Sequence, residues 1–106
     1  MTSRDKQAIQ MLLHAPTVGV LLRARKNAAN ILKDDVTAEV RIVVNGDAVS
    51  ASLDQPDLSA DPMTWVCPNT LRNLARQPET SMHVLPHAAA LALAMLQREG
   101  WIYVRA

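Results

Sequence analysis

Five apolar stretches, separated by polar and proline-bearing segments, set the layout of the chain. Ala8-Ile9-Gln10-Met11-Leu12-Leu13 is a mostly apolar run, the pattern of a strand covered on both faces. His14-Ala15-Pro16 stops it, and Thr17 is placed to cap a following helix. Val20, Ala24, Ala28, Ile31 and Leu32 then recur at helical spacing, and Asp34-Asp35 closes that helix. Arg23, Arg25 and Lys26 lie among them and are expected to form a solvated helix face. Val40-Arg41-Ile42-Val43-Val44 predicts the second strand, ended by Asn45-Gly46-Asp47, where glycine marks a tight turn. Ala48, Val49, Ala51 and Leu53 predict a short helix, and the proline- and aspartate-rich segment from Asp54 to Pro62 an irregular loop.

The second half repeats the alternation. Met63 to Val66 predicts a third strand, and Cys67-Pro68 leads into an amphipathic helix from Asn69 to Arg76. Gln77-Pro78-Glu79-Thr80 breaks that helix, and Met82-His83-Val84-Leu85 forms a fourth short strand stopped by Pro86. His87 to Arg98 is an Ala- and Leu-rich helix with Gly100 as its C-terminal cap. Trp101-Ile102-Tyr103-Val104 is the last strand. Strands and helices alternating at these lengths imply a doubly wound α/β sheet of parallel strands, joined by right-handed crossovers and covered on both faces. A ferredoxin-like order is the competitor, and it requires that no helix form at Asp47 to Leu53.

Composition narrows the function classes. The chain has 106 residues, enough for one domain (1–106) with one core. It is 49% hydrophobic but only 3% aromatic, so Leu, Ile, Val, Met and Ala must build that core. A net charge of +1 gives no basic field for nucleic acid. The longest apolar run, Ala88 to Leu96, falls short of the roughly 20 residues a membrane helix needs. The N-terminal stretch is too short and too polar for a signal peptide, so a cytoplasmic location is expected. One cysteine excludes an intrachain disulfide framework and a dithiol redox cycle. No phosphate-binding glycine motif occurs, no spaced Cys/His set argues for a metal, and no cofactor is implied.

Cys67 is the chemically loaded position. Placed at a helix N-terminus before Pro68, it would meet unpaired backbone N–H groups and the positive end of the helix dipole, both of which favour the thiolate. The bland alternative is a small buried hydrophobe. Ligands of open parallel sheets bind beyond the carboxyl ends of the strands. The residues just past strands one to four are His14, Asn45, Cys67 and His87, so two imidazoles, an amide and a thiol are expected at one edge. The apolar helix from His87 leaves no polar stripe until Gln97, which predicts a homo-oligomer covering its outer side.

Four stretches give the chain a family resemblance from about Ile9 to Arg105. They are Asn30-Ile31-Leu32, Ile42-Val43-Val44-Asn45-Gly46, Cys67-Pro68-Asn69-Thr70-Leu71, and the tail from Leu96 to Arg105. Together they resemble the small proteins of the DsrE/DsrF-like (sulfur-relay) family. The resemblance implies a three-layer α/β/α fold with a five-stranded parallel sheet, assembled as a trimer or hexamer. It implies a sulfur carrier or sulfurtransferase-like activity, with Cys67 taking sulfur as a persulfide from a donor protein and handing it to an acceptor. Asn69, within the cysteine segment, joins His14, Asn45 and His87 as a binding candidate. Many relatives carry His where this chain has Asn45. Two rivals stand beside this expectation: a small-ligand-binding module in which Cys67 only packs, and a structural oligomer subunit with no chemistry of its own.

Overall fold

The computed structural model describes residues 7–106. Strands and helices alternate in the order β1 (Gln10–Ala15), α1 (Val18–Asp34), β2 (Glu39–Val44), α2 (Asp47–Asp54), β3 (Thr64–Val66), α3 (Pro68–Leu74), β4 (His83–Val84), α4 (Ala89–Arg98) and β5 (Ile102–Arg105). The five strands form one sheet in the order β4-β3-β2-β1-β5, and every neighbouring pair is parallel. The architecture is therefore three-layer α/β/α. The ferredoxin-like order is excluded, because α2 does form between β2 and β3.

The strand order dictates which face each helix covers. From β1 to β4 the chain steps outward in one direction, and it then crosses back to lay β5 on the far side of β1. With right-handed crossovers, the first three helices fall on one face and the last on the other. Packing follows this rule. Leu13, Ile42, Val44 and Val66 point to a core shared with Leu21 and Ala24 of α1, Val49 of α2 and Leu71 of α3. Leu12 and Val43, one residue out of phase, point to a second core with Ala89, Ala92 and Leu93 of α4. Ile42, Val43 and Val44 are all fully buried, as expected of a strand buried on both faces.

The punctuation acts as expected at most boundaries. The Thr17 hydroxyl accepts from the Val20 N–H at 3.4 Å and starts α1. Gly46 has φ 56°, and a Cβ there would lie 3.1 Å from the Pro16 carbonyl, so a side chain would be strained by both torsion and contact. Gly100 has φ 103° and follows α4 as its C-terminal stop. No helix among the described residues is long and apolar enough to cross a membrane.

Several boundaries differ from expectation. β1 runs on through His14 and Ala15, because parallel pairing continues on both sides, Ala15 with Val44 and His14 with Arg105. α3 stops at Leu74, where Ala75 turns left-handed at φ 53° and its N–H bonds back to the Arg72 carbonyl. β4 shrinks to two residues because only Trp65 and Val66 offer it partners. The last helix begins at Ala89, not His87.

Arg25 is the one clear reversal on α1. Its side chain is only 9% exposed and is turned inward, not solvated. It faces Asp61, which is 1% exposed in a short 3-10 turn, Asp61–Met63, that spans the end of the stretch expected to be irregular and the residue expected to start the third strand. The Nη2–Oδ1 separation is 3.9 Å, and neither atom has a hydrogen-bond partner; Asp61 Oδ2 accepts from the Asp57 N–H at 3.3 Å. The pair ties the loop between α2 and β3 to α1. Removing one member strands the other charge in a buried site, whereas removing both does not. Asp61→Ala is therefore expected to cost about 3 kcal/mol in urea unfolding, and Arg25→Met/Asp61→Leu to recover most of that loss.

Candidate functional site

Cys67 sits where two helices begin. It is the N-cap of α3, with Pro68 at the first helical position, and its own N–H donates to the Val44 carbonyl at 3.0 Å. That bond pins the end of β3 beside the end of β2. The thiol is 5% exposed and packs with Leu12, Val43, Leu85 and Ala89 on the α4 side of the sheet. Burial pushes the thiol up. The N–H groups of Thr70, Ala89 and Asn69, together with the Thr70 hydroxyl, more than offset that penalty and hold it below the ordinary thiol value. The donors come from two elements, the first turn of α3 and the first residue of α4. A thiolate here is therefore stabilised by fixed dipoles, with no cationic side chain involved. Arg72, one turn into α3, donates to the Asn69 side-chain oxygen.

His14 and Asn45 form a second cluster at the same edge. His14 lies inside β1, opposite Val43 of β2, and its alternation places it on the α4 face with Leu12. Its Nε2 lies 3.0 Å from Asn45 Oδ1, and its Nδ1 lies 2.7 Å from the Tyr103 hydroxyl. An amide oxygen only accepts, so Nε2 donates; in the neutral ring Nδ1 then accepts from Tyr103. Both ring nitrogens are thus engaged by neutral partners, and neither by Cys67. The two clusters adjoin through the backbone, since Val44, which accepts from the Cys67 N–H, directly precedes Asn45.

The other two candidates fall elsewhere. The Asn69 side chain is exposed and engaged by Arg72, so its tie to the thiol is its backbone N–H alone. His87 is exposed, precedes α4, and lines a groove with Arg41 and Trp65 instead of joining His14. Sequence reasoning missed Tyr103 and the Ala89 N–H. Finding Tyr103 required knowing that β5 pairs with β1, and a backbone donor has no residue-type signal. Among the described residues no group of three or more His, Cys, Asp or Glu side chains is placed to hold a metal ion.

The donor set makes the thiol testable before any substrate is known. The pH midpoint of Cys67 alkylation is expected below the free-thiol value of about 8.5. Thr70→Val, which keeps the shape and removes one donor, should move it upward. No family model matches the chain, and no curated protein matches it.

Proposed function

We propose that this protein is a cytoplasmic sulfur carrier of the DsrE/DsrF-like kind, which accepts sulfur on Cys67 and passes it to a partner protein. The observation that carries this reading is the place of Cys67, at the N-cap of α3 and packed against Ala89, the first residue of α4, where nearby backbone N–H groups favour the nucleophilic thiolate. The Cys67 thiolate attacks the terminal sulfur of a donor persulfide. A new S–S bond forms on Cys67, and the donor's own S–S bond breaks to release its thiolate. The same N–H groups stabilise the Cys67 persulfide anion. An acceptor thiolate then takes the outer sulfur, and the Cys67 thiolate leaves. No external oxidant is consumed, and no second cysteine in the chain competes for the sulfur. The thiol is mostly buried, so both exchanges take place at the carboxyl edge of the sheet, where small sulfur species or an extended partner cysteine reach it.

The reading includes a homo-oligomer, trimeric or hexameric. Among the described residues α4 is the only helix on its face of the sheet, and its outer side exposes Ala90, Leu91 and Ala94, with Leu91 51% exposed. Static light scattering is expected to give the mass of a trimer or hexamer, with Leu91→Glu shifting it toward the 11.6 kDa monomer.

Intact-mass measurement tests the chemistry. After incubation with a persulfide donor, the wild-type chain should gain one sulfur atom, removable by a reducing thiol, and Cys67→Ser should gain none. An unmodified wild-type mass together with an alkylation midpoint at or above the free value would overturn the carrier and leave a subunit in which Cys67 only packs.

A further inference from the structure

Sequence reasoning assigned nothing to Arg41, yet its surroundings are the most unusual on the α4 face. The guanidinium carbon lies 4.5 Å from the ring centre of Trp65 and 4.5 Å from that of Trp101. His83 stacks on Trp65, with centroids 4.4 Å apart and the planes 18° from parallel. His83 is itself anchored, its Nε2 lying 3.0 Å from the Pro62 carbonyl. Both indoles of the chain are thus committed to one cation. A cation–π contact holds a guanidinium through its charge and uses none of its N–H groups as conventional hydrogen-bond donors. Arg41 has no carboxylate or carbonyl partner among the described residues.

Arg41 lines a groove of about 290 Å³ between α4 and the β3–β4 side of the sheet. Leu85, Met95 and Leu96 supply its apolar wall, and Glu99 lies at the end where α4 finishes. The groove exists because, among the described residues, α4 is the one helix on this face and leaves the sheet beside it open. We propose that it binds a small amphiphilic monocarboxylate, with the carboxylate on the edge of Arg41 and the apolar body along Leu85, Met95 and Leu96. One arginine with its fork free matches a single carboxylate. Glu99, which lines the groove, and Glu39, which lies beside Arg41, repel a dianion about twice as strongly as a monoanion, which favours a carboxylate over phosphate. The proposal does not depend on sulfur chemistry at Cys67.

The two tryptophans report directly on the site. Hexanoate, titrated at constant ionic strength, is expected to change their fluorescence saturably and to raise the melting temperature. Hexanol and inorganic phosphate should do neither at the same concentrations. Arg41→Met should weaken hexanoate binding about tenfold or more, and Arg41→Lys should weaken it by less, since an ammonium keeps the charge and loses the fork. Met95→Glu keeps Arg41 but puts a carboxylate in the apolar wall, and should abolish the response. It also decides the matter if Arg41→Met does not fold. The proposal is overturned by an unsaturable hexanoate response, by an equal response to hexanol or phosphate, or by binding that survives Met95→Glu.

Discussion

The handedness of the parallel crossovers is the constraint on which the rest depends. Strands β1 to β4 step outward in one direction, so α1, α2 and α3 must share a face; the single return crossover then places α4 alone on the other. One face is sealed by three helices and carries the larger core. The opposite face has one ten-residue helix for five strands. The Cys67 thiol, the His14 cluster and Arg41 all lie on that thinly covered face. On the sealed face the notable polar group is the Arg25–Asp61 pair, which is inward-facing and structural.

Cys67 is a contest between burial and dipoles. A thiol packed among Leu12, Val43 and Leu85 would ordinarily stay protonated. What tips the balance is placement: α3 starts at Cys67 and the start of α4 packs against it, so backbone N–H groups without partners in their own helices lie near the sulfur and favour its charged form. β4 is only two residues long, and the chain leaves it for α4, whose first residue packs against Cys67. The strand bond from the Cys67 N–H to Val44 holds the thiol in register with Asn45 and His14 without a side-chain contact to either.

The stacked series His83, Trp65, Arg41 and Trp101 meets a problem that the single helix creates. An open sheet face beside a short helix needs large side chains, and a chain with no Phe supplies them as two indoles with an arginine between. The long Arg41 side chain reaches from β2 to Trp101, the residue that precedes β5.

Much of this was legible in the chain itself. Apolar runs of strand length, helical spacing from Val20 to Leu32, and the punctuation at Thr17, Gly46, Pro68 and Gly100 were sufficient for the alternating order and the α/β class, because these signals are local. The placement of Cys67 at a helix start followed from Pro68 for the same reason. Tertiary structure alone decided the rest. Whether β1 ends at Leu13 or Ala15 depends on partners in β2 and β5 that lie far away in sequence. Arg25 looks like one more surface cation until Asp61 comes to meet it. His14 and His87 seem equivalent as residues past strands, yet one is locked between Asn45 and Tyr103 and the other faces a groove. The thiol's donors include a backbone N–H at Ala89, a group every residue but proline carries, so nothing in the residue type announces it. Local patterns determine which elements form; strand order determines which side chains meet, and it is settled by packing among distant parts of the chain.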